Sequence, residues 1–102
     1  MKAAVLEDLN QLVVKDVPEP EIDADSVLMR VEATSICGSD IRIYRHGNPR
    51  VTPPAILGHE ASGVIEKVGQ NVTRVSAGDR VAIGADFPCG QCSWCRNGLL
   101  NN

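Results

Sequence analysis

The stretch "GHEASGVIEKVGQNV" (residues 58–72) combines an imidazole, a carboxylate and a strand pattern. Beyond Glu60, small, β-branched and charged residues read as a β-strand, and a second short strand follows in "DRVAIG" (79–84). Asn71 and Gly78 supply the turn chemistry between them. His59 and Glu60 therefore stand at the entrance of a strand. Pro53 and Pro54 are expected to hold the approach to them extended.

Upstream, Val27, Met29, Val31 and Ala33 alternate with Arg30, Glu32 and Thr34, which predicts the longest strand from Ser26 to Ile36. Cys37 follows directly. Gly38 or Ser39 is expected to cap a short helix running through Ile41, Ile43 and Tyr44 to a stop at Gly47, with Asp40 favourably placed in its first turn. At the amino end, "KAAVL" (2–6) and "QLVVKDV" (11–17) read as a hairpin turning at Asp8, Leu9 and Asn10. The acidic, proline-bearing "VPEPEIDADS" (17–26) is an exposed connection. Short strands and one brief helix predict a mainly β domain, a small barrel or a strongly bent sheet.

A chain of 102 residues fits one domain. With 43% hydrophobic residues it is not disordered, and with only 3% aromatics its core must be built from Val, Ile, Leu and Ala. The net charge of −3, with signs interspersed, leaves no basic stripe for nucleic acid. Glu7 and Asp8 interrupt the place where a secretory signal needs an apolar run, and no segment approaches the length of a membrane span. The expected compartment is the cytoplasm, where four cysteines are better read as thiols for metal or chemistry than as disulfides. The nine glycines never fall into Gly-x-Gly-x-x-Gly spacing, so any nicotinamide cofactor docks outside these residues.

Two groups of residues carry ligand chemistry. Cys37, His59 and Glu60 could meet across a sheet, and a thiolate and an imidazole with an open position let zinc polarise an oxygen. Taken singly, a cysteine at a strand end is more often a small buried hydrophobe, and a histidine beside glycine a turn or surface residue. Near the carboxyl end, "CGQCSWC" (89–95) spaces Cys89, Cys92 and Cys95 at an even step. Three thiolates leave a tetrahedral zinc one ligand short. A redox Cys-x-x-Cys reading is the alternative, but no thioredoxin-like βαβ pattern accompanies it.

"CGSD" (37–40), the Gly-His-Glu stretch, "GDRV" (78–81) and the cysteine run, in that order, resemble the zinc-containing alcohol dehydrogenases of the medium-chain dehydrogenase/reductase superfamily. The polyol and threonine dehydrogenase branch looks nearest. The resemblance implies that residues 1–102 are the amino-terminal part of a GroES-like catalytic domain, a partly open β-barrel with a short helix. The sequence then stops before the NAD(P)-binding Rossmann domain. It also implies hydride transfer between an alcohol or polyol and NAD or NADP, zinc as a cofactor, and a homo-oligomeric full-length enzyme.

Residue by residue, the resemblance makes Cys37 and His59 ligands of a catalytic zinc, and Glu60 a ligand or a neighbour of that ion. Ser39 takes the place of the hydroxyl that starts the proton relay, and Asp40 that of the carboxylate that orients His59. Cys89, Cys92 and Cys95 become three of four structural zinc ligands, with the fourth expected one residue beyond Asn102. Residues 85–102 are then an incomplete structural-zinc lobe, and the fragment alone is expected to be inactive. Arg42 stands where many relatives place a relay histidine, and a guanidinium that never loses its proton cannot hand one on. The alternative function is a non-enzymatic zinc-binding or assembly module that pairs through strand edges.

Overall fold

The computed structural model describes residues 1–84 and 88–99. Strands β1 (Lys2–Asp8) and β2 (Gln11–Asp16) form the expected antiparallel hairpin. Asn10 takes a left-handed conformation at the turn, with φ of 60°, which asparagine tolerates better than most residues. Strand β3 (Val27–Thr34) is followed by helix α1 (Gly38–His46), a two-residue strand β4 (Ala55–Ile56), β5 (Ala61–Val68) and β6 (Arg80–Ala82). A single helical turn, α2 (Ser93–Arg96), comes last.

The strands make two three-stranded sheets, ordered β2-β1-β4 and β3-β5-β6, with every pairing antiparallel. The mainly β fold with one short helix matches the expectation from sequence, and the two sheets stay open. Among the described residues no helix is long and apolar enough to cross a membrane.

Three local expectations are corrected. The alternation along β3 does not survive intact, because its pairing with β5 slips between Leu28 and Met29 and again between Val31 and Ala33. The first places the extra residue, Glu66, on β5, and the second places one, Glu32, on β3. The buried side chain of β3 is Leu28, at 7% exposure and on the face opposite the expected one, while Val31 stands at 54%. The helix starts one residue earlier than expected, with Cys37 as its N-cap and Ser39 inside the first turn. Residues 53 and 54 form a bend with a cis peptide bond between the two prolines, so the approach to His59 is not extended throughout.

The apolar core is compact: Val5 and Leu6 from β1, Leu28 from β3 and Ile65 from β5 are buried. Tyr44 fastens α1 to the hairpin, its hydroxyl donating to the carbonyl of Asn10 at 2.8 Å while the Asn10 amide donates to the Tyr44 carbonyl at 2.9 Å. Gly63 serves β3–β5 packing: a Cβ there would lie 2.0 Å from the carbonyl oxygen of Arg30, which no backbone adjustment of a few tenths absorbs.

That contact predicts that Gly63→Ala destabilises the fold by roughly 1–3 kcal/mol, in the range of overpacked interior positions. Gly38→Ala meets nothing within 4 Å and serves as the control. Urea midpoints of the two variants measure the difference; equal midpoints would remove Gly63 from the packing account.

Candidate metal centre

The end of β3 and the start of β5 lie side by side, because Thr34 pairs with Ala61 in the last step of their register. The Ser35 amide then donates to the Glu60 carbonyl at 3.0 Å and carries the pairing one residue further. Cys37 leaves one strand here as His59 and Glu60 enter the other. The ligand atoms of Cys37, His59 and Glu60 all lie within 4.8 Å of one another, with Cys37 and His59 half-buried and Glu60 exposed.

Asp40 sits behind the imidazole and is buried. Its Oδ2 accepts the Cys37 amide at 2.9 Å, and its Oδ1 lies 3.4 Å from His59 Nδ1. One carboxylate thus fixes the helix start and aims the imidazole, leaving Nε2 to face outward. Ser39 Oγ is 3.5 Å from that Nε2. Because Ser39 is not the cap, its hydroxyl is free to point into the cluster.

The electrostatics follow from these neighbours. The Ser39 hydroxyl, the Ser39 amide and His59 all favour the Cys37 thiolate and lower its pKa, against desolvation and the nearby Glu60 charge. The Cys37 sulfur in turn raises the pKa of His59, with desolvation opposing and Asp40 adding to the rise.

The donor set fits a borderline-soft cation. With bonds of roughly 2.0–2.3 Å to sulfur, nitrogen and oxygen, one zinc ion reaches all three groups after side-chain adjustments on the order of 1 Å. The cluster borders a cleft of about 550 Å³ lined by Ser35, His59, Glu60 and Ser62. A separate cavity of about 430 Å³, lined mostly by apolar groups such as Ile36, Ile41, Tyr44 and Leu57, offers no thiol or imidazole.

Cys89, Cys92 and Cys95 form the second ligand cluster among the described residues. Cys92 caps α2 and Cys95 lies within it, which folds the loop back on itself. Cys95 Sγ is 3.9 Å from that of Cys89 and 3.5 Å from that of Cys92. A zinc tetrathiolate has S···S edges of about 3.8 Å, from Zn–S bonds near 2.3 Å, whereas a disulfide spans about 2.05 Å. The three thiols are free and spaced so that they could hold an ion. Of the expected lobe at 85–102, residues 85–87 and 100–102 lie outside the described residues.

Sequence reasoning passed over Ser35 and Thr34. Thr34 Oγ1 donates to the Glu60 carbonyl at 3.1 Å, and the Ser35 hydroxyl donates to Glu60 Oε2. Nothing in the spacing marks either residue, since both contacts exist only through the β3–β5 register. Arg42 and His46 are exposed on α1, and Trp94 is 52% exposed.

Residues 23–102 match the family model described as the alcohol dehydrogenase GroES-like domain. A sorbitol dehydrogenase of Bacillus subtilis (strain 168) is 43% identical over 104 residues, covering 99% of this chain and 30% of that protein. Among solved structures, alcohol dehydrogenase TADH from Thermus sp. ATN1 superposes with a TM-score of 0.86 at 36% identity, over 99% of this chain and 29% of that one. Galactitol-1-phosphate dehydrogenase from Escherichia coli does so with a TM-score of 0.89 at 33% identity, over 98% and 29%. The chain belongs to the alcohol dehydrogenase GroES-like domain family. It spans about three-tenths of the length of these relatives.

The cysteine loop yields a pH prediction. Amides of Gln91 and Cys92 and the neighbouring thiols stabilise the Cys89 thiolate and bring its pKa down to about 7. In the metal-free protein, alkylation of Cys89 by iodoacetamide should rise with pH to a midpoint near 7. An ordinary thiol titrates near 8.5. Peptide mapping across pH 5–10 reads the midpoint, which two zinc equivalents, enough for both ligand clusters, should abolish by blocking the sulfur.

Proposed function

We propose that this chain is the substrate- and zinc-binding part of a zinc-dependent alcohol or polyol dehydrogenase, transferring hydride between an alcohol carbon and NAD or NADP. The observation that carries the reading is the convergence of a thiol, an imidazole and a carboxylate at the β3–β5 junction, with Asp40 behind the imidazole. The family membership supports the same class of chemistry.

In this reading Cys37 and His59, with Glu60 beside them, hold a catalytic zinc, and Cys89, Cys92 and Cys95 contribute to a structural one. Bound there, zinc supplies a Lewis acid that polarises the substrate oxygen. The chain's own groups do the rest. Asp40 keeps a proton on His59 Nδ1 and the ring in its binding orientation. Ser39 accepts the proton leaving the alcohol oxygen while its own hydroxyl proton passes to solvent water, because a hydroxyl both donates and accepts and Ser39 is exposed. Arg42 cannot extend that path, since it holds its protons throughout the physiological range. The dinucleotide must come from a region these residues do not contain, so the 102 residues by themselves are proposed not to turn over.

Metal analysis and kinetics test the reading. The purified protein should hold two zinc equivalents, of which Cys37→Ser or His59→Ala removes one and Cys92→Ser the other. In a polypeptide that includes the nicotinamide-binding region, Ser39→Ala should lower kcat by roughly 10²-fold at pH 7, the low end for a lost proton-transfer group. In that longer polypeptide, two zinc equivalents without NAD(P)-dependent oxidation of alcohols or polyols would instead favour a non-enzymatic zinc module.

A further inference from the structure

The contact between Ser35 and Glu60 has a consequence for the metal centre. Glu60 is gripped three times by two consecutive residues: its carbonyl accepts the Ser35 amide at 3.0 Å and the Thr34 hydroxyl at 3.1 Å, and its carboxylate accepts the Ser35 hydroxyl. Among the described residues Glu7, Glu19, Glu32 and Glu66 each pair with a lysine or arginine, whereas Glu60, like Glu21, pairs with no basic side chain. A cation beside Glu60 would neutralise the carboxylate and compete with a metal ion. A neutral hydroxyl does neither. It fixes the rotamer of a long side chain while leaving the negative charge and most of the acceptor lone pairs available.

We propose that Ser35 is a positioning residue for the metal centre, one that holds the Glu60 carboxylate in place as an oxygen ligand beside the Cys37 thiolate and the His59 imidazole. The ion in this chain is then held by sulfur, nitrogen and oxygen, and Ser35 sets the third donor. The proposal rests on the reading that Cys37 and His59 bind a metal. It goes further in assigning the choice between a coordinating and a free Glu60 to a hydroxyl two residues before the cysteine.

Cobalt(II) replaces zinc and reports its ligand set through its visible absorption bands, so no turnover is needed. Cobalt titrations would compare the unaltered protein with Ser35→Ala, Ser35→Thr, Glu60→Gln and the Ser35→Ala/Glu60→Gln double variant, using Cys37→Ser to locate the single-thiolate site. The cysteine loop contributes equally to all of them and cancels in difference spectra, while its unchanged signal reports an intact fold. Ser35→Ala should shift the bands in the same direction as Glu60→Gln and weaken cobalt binding at that site by about tenfold, typical for an outer-shell partner. Ser35→Thr should restore both to near the starting values, and the double variant should be no weaker than Glu60→Gln alone.

Ser35→Ala indistinguishable from the unaltered protein, with Glu60→Gln altered, overturns the role of Ser35 and leaves the metal site standing. Additive losses in the double variant overturn it as well. Spectra that ignore Cys37→Ser overturn the metal site itself and the proposal with it.

Discussion

The antiparallel register between β3 and β5 is the constraint on which the ligand cluster depends. Thr34 opposes Ala61, and the bond from the Ser35 amide to the Glu60 carbonyl adds one more step beyond the strands proper. In an antiparallel pair the residues leaving one strand neighbour those entering the other. Cys37 and His59 therefore meet although the chain between them is long. A slip of one residue would reverse every side chain on β5 and carry the imidazole to the opposite face. Gly63 guards against such a slip, because only a residue without a side chain fits against the Arg30 carbonyl.

The two sheets reach the same point by different routes. Strand β4 pairs with β1 in the first sheet and leads through Leu57 and Gly58 to His59, with Gly58 at a φ of 113° that favours glycine. Helix α1 starts at the second sheet, takes Cys37 as its cap, and ends with Tyr44 bonded to the Asn10 turn of the first. The cluster is thus placed where the sheets are joined, and its geometry follows from backbone bonds more than from its own side chains. That is how ligands can be held in position by a protein whose fully enclosed core is small.

Much of the scaffold was legible in the residues. The hairpin around Asn10, the strand from Val27, the helix ending at Gly47 and the strand after Glu60 all announced themselves through alternation, turn residues and glycine. The faces of β3 did not, because periodicity counts positions along one chain, and the irregularities near Leu28 and Val31 belong to a pair of strands. Strand β4 was hidden for the same reason: two residues beside a proline pair carry no pattern, and only the partner β1 makes them a strand. The pairing of Cys37 with His59 and Glu60 came from the order of motifs shared with a known family, since spacing alone left a buried cysteine and a surface histidine as the plainer readings. Ser35 was invisible for a related cause: its partner is distant in sequence, and a serine at a strand end has many ordinary uses.

The proton inventory of the cluster connects Ser39, Asp40 and the imidazole into one device. Without an ion, the thiolate of Cys37 is favoured by Ser39 and the protonated form of His59 is favoured by that same sulfur. Asp40 Oδ1 faces Nδ1, so the proton retained when a cation binds the ring is the one on Nδ1, and the proton given up is the one on Nε2, which faces Ser39. Under the proposed reading Cys37, His59 and Glu60 would hold the ion, with Asp40 already keeping the imidazole oriented toward the other two ligands. With Nε2 given over to a metal, the Ser39 hydroxyl beside it would be left able both to donate and to accept, which is what an alcohol oxygen losing its proton there would need.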